Sequence, residues 1–164
     1  MTAQEIISHL QLREHPEGGY FTELYRSSGI IDTRDDTFPD GRNYCTSLYF
    51  LLENGDISHF YKIETDEIWH HYVGSSLTIH LLTKGGDYRT LKVGKDLRSC
   101  QKHQVVVPSD TWFGVTVDDP DSFALCGCTV SPGFDFKDFE MADRQNLLER
   151  YPEHEEIIRK LTLS

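Results

Sequence analysis

Positive charge is scarce in this chain: 16 Lys and Arg stand against 27 Asp and Glu, a formal net charge of −11. A surface of that sign repels phosphate backbones and anionic headgroups, so neither nucleic acid nor a membrane surface is an expected partner. Long apolar runs are missing too, and nothing approaches the ~20 residues that cross a bilayer as a helix. The opening Met1-Thr2-Ala3-Gln4-Glu5-Ile6-Ile7 has neither the basic region nor the apolar region of a secretion signal, so a cytoplasmic location is expected. Cysteine is sparse. Cys45, Cys100, Cys126 and Cys128 form no C-x-x-C pair and no zinc-type spacing. Cys126 and Cys128 fall in an apolar, strand-like run, where a reduced thiol packs as a small hydrophobe. Repeats, linkers and low-complexity tracts are also lacking.

What is present suits one domain over residues 1–164. The chain is 38% hydrophobic and 12% aromatic, which supplies apolar surface to offset chain entropy without disulfides or a structural metal. Thr2-Ala3-Gln4-Glu5 has capping-box form, with Ile6, Ile7 and Leu10 at helical spacing behind it. After the turn His15-Pro16-Glu17-Gly18-Gly19, residues 20–26 alternate as a strand. That alternation puts Tyr20, Thr22, Leu24 and Arg26 on one face and Phe21, Glu23 and Tyr25 on the other. Residues 33–41 carry the charge, Pro and Asp-Gly chemistry of an exposed loop. Strand-like runs then crowd together at 44–52, 58–63, 67–73, 77–83, 88–93, 104–107, 112–117 and 123–130. Roughly eight or nine short strands without intervening helices predict an all-β antiparallel sandwich or barrel. Between 142 and 163 the pattern returns to helical spacing through Leu147, Leu148, Ile157, Ile158 and Leu161, and Pro152 divides it into two short helices.

One strand-like block is unusually polar: Ser58-His59-Phe60-Tyr61-Lys62-Ile63-Glu64-Thr65-Asp66-Glu67-Ile68-Trp69-His70-His71-Tyr72-Val73-Gly74. A lone histidine in such a run usually decorates the solvent face. A cluster with a carboxylate and a Trp points instead to a site, because burying such groups costs free energy unless they are paired or used. The candidates for a pocket are His59, Tyr61, Glu67, Trp69, His70 and Tyr72, with Glu23, Tyr49 and Trp112 around them. Alternation turns Glu67 and Trp69 the same way. It turns His70 outward, unless a β-bulge reverses it.

The spacing of Glu67 and Gly74 resembles the first motif of cupins, and Pro108-Ser109-Asp110-Thr111-Trp112-Phe113 resembles the second, with Asp110 where that motif has Gly. A wider set runs along the chain: His15-Pro16-Glu17-Gly18-Gly19-Tyr20-Phe21, Glu23, Tyr25-Arg26-Ser27, Thr46-Ser47-Leu48-Tyr49-Phe50-Leu51-Leu52, Asp66-Glu67-Ile68-Trp69-His70, Trp112-Phe113-Gly114 and Gly127-Cys128-Thr129-Val130-Ser131-Pro132-Gly133-Phe134. Together these are similar to the cupin-5 family, small cupins of undetermined biochemical role. The resemblance implies a cupin-type antiparallel β-barrel (a double-stranded β-helix, or jelly roll) with short helices at its ends and Glu67 facing the interior.

Metal-dependent cupins carry two His in motif one and a third in motif two, a set suited to Fe, Mn, Ni or Cu. Here Tyr61 stands where the cupin-5 pattern often has His, and no His occurs from 105 to 131, so no metal or other cofactor is expected. The segment from Glu17 to Glu23 is also similar to the nucleotide-contacting strand of dTDP-sugar epimerases. Gly19, Phe21 and Glu23 fit that pattern, and Gly18 replaces an Arg that would hold phosphate. The leading expectation is a metal-free pocket for a small polar or sugar-like ligand, oriented by Glu67, His70 and Glu23. One alternative is an epimerase or isomerase with His70 or His59 as base and Tyr61 or Tyr72 as acid. The others are a metal-dependent enzyme using His59, Glu67 and His70, and a structural role with a filled barrel. A homodimer or higher homo-oligomer is expected, because open sheet edges and an apolar outer face need cover, with the outward residues of 44–52 as the candidate interface.

Overall fold

A computed structural model describes residues 1–32 and 38–163. The loop expected at 33–41 therefore lies largely outside the described residues. Among the rest are 13 strands: β1 (Arg13–Glu14), β2 (Tyr20–Arg26), β3 (Ile30–Ile31), β4 (Arg42–Asn43), β5 (Thr46–Glu53), β6 (Ile57–Lys62), β7 (Glu67–Gly74), β8 (Leu77–Leu82), β9 (Tyr88–Val93), β10 (Gln104–Val107), β11 (Trp112–Val117), β12 (Phe123–Val130) and β13 (Glu140–Met141). The longer ones coincide with the period-two runs of the sequence. Among the described residues the α-helices stand at the two ends, as α1 (Ala3–Leu10), α2 (Arg144–Arg150) and α3 (Glu155–Lys160). Thr2 and Glu5 close a reciprocal capping box at the start of α1, and Pro152 opens a short 3₁₀ turn between α2 and α3.

Two antiparallel sheets face each other, ordered β1-β2-β5-β12-β7-β10 and β13-β6-β11-β8-β9, and β3 and β4 form a small ribbon beside them. This is the all-β jelly roll expected from the sequence. Between the sheets lie Phe50, Leu52, Trp69, Leu77, Ile79, Phe113, Val115 and Cys126, all buried. The helices seal outer faces. Ala3 and Ile6 of α1 cover Leu51 and Leu125 of the six-stranded sheet. Leu147, Tyr151, Ile158 and Leu161 of the C-terminal segment cover Phe60, Leu82 and Trp112 of the five-stranded one. Trp112, expected near the pocket, is thus a packing residue on the far side of its sheet, where Lys62 Nζ lies 5.0 Å from its ring centre.

Three β-bulges decide which side chains face inward. In β6, Tyr61 pairs with Phe113 and Ser58 with Val115, so one extra residue lets both Ser58 and Tyr61 point between the sheets while Phe60 points out. In β2, the register slips between Glu23 and Tyr25, which brings Glu23 and Arg26 to the same face although strict alternation separates them. In β7, Cys126 pairs with His71 and Leu125 with Val73, so the bulge falls at Tyr72. It comes too late along the strand to reverse His70, which stays outward. No helix among the described residues is long and apolar enough to cross a membrane.

Ile158 is fully buried in the cluster beneath the C-terminal helices. Ile158→Ala should cost about 2–4 kcal/mol of stability, read from urea unfolding. Trp112 reports on that cluster and Trp69 on the core between the sheets. Single-Trp variants should therefore unfold in coincident transitions, and separate midpoints would show that the C-terminal helices fold apart from the barrel.

Candidate functional site

The site begins at the turn before β2. Gly18 has φ +109°, and a Cβ there would lie 2.1 Å from the Ile57 carbonyl oxygen, so only glycine lets the turn press this closely onto β6. The turn is pinned by its carbonyls: His59 donates to the Glu17 oxygen through its backbone N–H at 2.8 Å and through ring Nδ1 at 2.8 Å. Held this way, Glu17 turns its side chain into the barrel and is 3% exposed. Ser58 Oγ donates to Glu17 Oε1 at 2.9 Å, and His15 Nδ1 accepts the Glu17 backbone N–H at 3.2 Å.

A second carboxyl comes from β7. Glu67 is its first residue, paired with Val130 of β12 and Val107 of β10, and it is 5% exposed. Tyr61 donates its hydroxyl to Glu67 Oε2 at 3.0 Å. Burial pushes the Glu67 pKa up to about 7, while the Cys128 thiol, the Tyr61 hydroxyl and the Trp69 indole N–H beside it favour the ionised form. Burial first, and the charge of Glu67 second, drive Glu17 well above the usual carboxylate range, against the pull of Ser58. Burial with Arg13 beside it lowers His15 to about 4. At neutral pH, then, His15 is a neutral imidazole and Glu67 is divided between its two forms, while Glu17 holds its proton more strongly than an ordinary carboxyl. The Trp69 indole N–H favours the Glu67 charge without making a hydrogen bond of normal geometry to it. It is the one buried side-chain nitrogen or oxygen without a hydrogen-bond partner among the described residues.

His15, Glu17, Tyr61, Glu67, Trp69 and Cys128 form the floor of a cavity of about 140 Å³. Phe21, Leu48, Phe50, Val130, Phe134 and Phe139 wall it, and Arg13, Glu23, Arg26 and Phe136 stand at the rim. Phe50 meets Trp69 edge to face at 5.4 Å between ring centres. At the rim Arg26 grips Glu23 through Nε and Nη2 at 2.9 and 2.7 Å and also reaches the Phe134 carbonyl at 3.0 Å. The Arg13 guanidinium lies 4.9 Å from the Phe21 ring centre.

Of the residues singled out from the sequence, Glu23, Tyr61, Glu67 and Trp69 line this cavity. The others lie elsewhere. His59 stands behind Glu17 and holds its carbonyl. His70 faces out and pairs through Nε2 with Thr129 Oγ1 at 3.0 Å. Tyr49 and Tyr72 meet edge to face at 5.9 Å on that same outer face, above Gly127, where a Cβ would strike the Tyr72 ring. Glu17, His15, Arg13 and the Phe134–Phe136–Phe139 cluster went unrecognised as cavity residues because turn and tail chemistry carries no periodicity. A carboxylate immediately before two glycines was the available signal.

The donor set does not suit the metal of metal-dependent cupins. The inward positions hold Ser58, Tyr61, Glu67 and Cys128, while His59 and His70 point away. No group of three or more His, Cys, Asp or Glu among the described residues is placed to hold a metal ion.

Two facing antiparallel sheets around a pocket entered from one end define a cupin fold. The chain belongs to the Cupin superfamily family DUF985, whose model matches residues 4–142. It is 31% identical over 146 residues to the uncharacterized protein YML079W of Saccharomyces cerevisiae, an alignment that spans 82% of this chain and 72% of the yeast protein. Among solved structures, protein SO0799 from Shewanella oneidensis is 37% identical with a TM-score of 0.91, covering 99% of this chain and 98% of that one. A hypothetical protein from Leishmania major is 34% identical with a TM-score of 0.92 over the whole of both chains. Oxalate decarboxylase of Bacillus subtilis shares the fold at 15% identity, TM-score 0.56, over 36% of its length.

The raised pKa has a thermodynamic consequence. A carboxyl moved from 4.5 to about 7 on folding binds its proton more tightly in the native state. Its contribution is complete below pH 4.5 and is lost as pH rises through 7, in total on the order of 3 kcal/mol. His15, lowered from 6.5 to about 4, works the other way and only below pH 6.5. Glu67→Gln should therefore become steadily more stable relative to wild type between pH 5 and 8, as read from paired melting curves. A constant difference across that range would mean Glu67 is not buried as described.

Proposed function

We propose that the barrel binds a small polar ligand about one ring in size, without a resident metal. The observation that carries this reading is the floor of the cavity, where a carboxyl that titrates near neutrality and an indole N–H lacking a partner are set among aromatic walls. A packed structural core has no use for such groups, because each lowers stability unless it meets a partner. Concave, mostly apolar sites with a few convergent polar groups are the usual form of small-molecule pockets. Glu67 orients the ligand, the phenylalanines enclose it, and the Glu23–Arg26 pair borders the entrance. A sugar-like ring is compatible with the size of the space. A thermal-shift screen of small polar metabolites should yield ligands that stabilise the wild type equally before and after EDTA treatment. Glu67→Gln should bind them at least tenfold more weakly while keeping a melting temperature close to wild type at pH 6. A stability loss with unchanged binding would make Glu67 a structural anchor instead.

Proton transfer is the second reading, favoured by the same Glu67: a group with pKa near working pH is suited to act as general base or acid. It places the roles once expected of His70 and His59 on the carboxyl, since both histidines face away from the cavity. Incorporation of solvent deuterium into a bound ligand separates turnover from simple binding.

We also propose that a second copy of the chain covers the outer face of the six-stranded sheet. Tyr25, Tyr72 and Val106 are about half exposed there, at 54%, 51% and 50%, and α1 shields only the Leu51 and Leu125 end. Light scattering should give a dimer mass that Tyr72→Lys combined with Val106→Glu reduces to the monomer. A monomeric wild type would reject the assignment.

A further inference from the structure

Resting on that cavity reading, we infer that the ligand is a small flat ring bearing one carboxylate, seated with its ring between the phenylalanines and its charge outward against Arg13. The strand register places Arg13. It pairs directly with Phe21 across β1 and β2, and residues opposite each other in an antiparallel pair project to the same face. Phe21 is buried in the core between the sheets, so Arg13 projects to the cavity side, although it is itself exposed. Its guanidinium lies 4.9 Å from the Phe21 ring centre, and both residues bound the same cavity as Glu67. A molecule that fills this space meets the aromatic walls and the guanidinium together.

Arg13 carries a charge at the mouth that nothing else balances. Arg26 commits Nε and Nη2 to Glu23, Nη1 to Asn43 and Nη2 also to the Phe134 carbonyl, so Arg26 and Glu23 cancel each other. Among the described residues no carboxylate pairs with Arg13, and no hydrogen bond takes up its N–H donors. The net charge of −11 does not undo this, because exposed charges beyond about 8 Å are largely screened at physiological salt.

One guanidinium balances one charge, and its fork matches a carboxylate through two parallel bonds. A phosphate monoester brings up to about two charges, and the second would find no free cation beside Arg13. The floor fixes the direction of the ligand: a carboxylate turned inward would lie against Glu17 and Glu67, both buried, whereas at the rim it keeps part of its water. The size fixes how much is enclosed. A cavity of about 140 Å³ is close to the ~150 Å³ that holds benzene in an engineered protein core, so one ring fills it and the carboxylate stands at the mouth. Phe21, Phe50, Phe134 and Phe139 offer ring faces and edges, which a flat apolar ring meets best. A cationic ligand would have to settle beside Arg13.

Three fragments of one shape and different charge test this: benzoate, benzamide and benzamidine, with phenyl phosphate as a doubly charged fourth. Binding is read by NMR at neutral pH and low salt from methyl-labelled protein, through Leu48 and Val130 of the cavity wall. Benzoate should saturate their shifts at millimolar concentration, and benzamide and benzamidine should bind about fivefold more weakly or worse, as expected for loss of a charge-assisted pair. Arg13→Gln should lower benzoate to the level of benzamide, leave benzamide affinity unchanged and keep the wild-type melting temperature. High salt should weaken benzoate alone. Benzamide or benzamidine binding as tightly as benzoate, or a benzoate preference that survives in Arg13→Gln, overturns the proposal while the cavity reading stands, since the fragments still occupy the space. Phenyl phosphate binding more tightly than benzoate overturns the single carboxylate. If no fragment binds, the ligands of the metabolite screen decide: neutral or cationic ones, or ones that Arg13→Gln binds as well as wild type, overturn the proposal, and a screen without any stabilising ligand removes both readings.

Discussion

Two carboxyl groups lie under the same aromatic walls, and the rest of the interior answers to that fact. An isolated charge in an apolar medium costs far more than any single hydrogen bond returns, so such groups either find partners or give up their charge. Here both happen. Burial and the field of Glu67 shift Glu17 toward its protonated form. Glu67 is held near neutrality by the donors around it. Their neighbours follow: Ser58 and Tyr61 supply hydroxyls rather than apolar bulk, and His15 stays neutral and serves as an acceptor. A histidine at Tyr61 would bring a second titrating group into contact with Glu67, and it would come with the metal chemistry the remaining donors are not arranged to complete.

The fold can hold this arrangement because its apolar stability comes from elsewhere. Phe60, Leu82 and Trp112 are covered by the C-terminal segment and Leu51 and Leu125 by α1, so both sheets bury apolar area on their outer faces as well as between them. That outer packing lets one end of the space between the sheets remain open. The glycine turn at Gly18 and Gly19 carries Glu17 across to β6, and the bulge in β6 turns Ser58 to meet it. A carboxyl 50 positions earlier in the chain than Glu67 thereby comes to share its field.

Much of this was legible in the residue order. Period-two alternation marked the strands, because a strand buried on one face must repeat every second residue. Turn chemistry separated them, and the capping box at Thr2 and Glu5 marked the first helix. The Glu67–Gly74 spacing identified the inward carboxylate through its resemblance to the first cupin motif. Local geometry set the direction of Trp69, two positions from Glu67, and of His70, one position beyond Trp69.

Tertiary structure alone decided the rest. Whether Tyr61 or His59 looks inward, and whether Arg26 shares a face with Glu23, depends on bulges in β6 and β2, and a bulge is set by the partner strand's register rather than by the bulged strand's own residues. Trp112 looked like a pocket residue by its place in a motif, yet the outer cluster of the C-terminal segment claims it, and that segment is about 30 to 50 residues away in sequence. Glu17 sat in a turn with no periodicity to reveal its direction. By itself, then, the sequence determined the longer strands, the antiparallel class, the family resemblance and one end of the site. The pairing of the two carboxyls and the unpartnered indole between aromatic walls arose only when distant segments packed, because burial and mutual field exist between residues that the chain itself keeps apart.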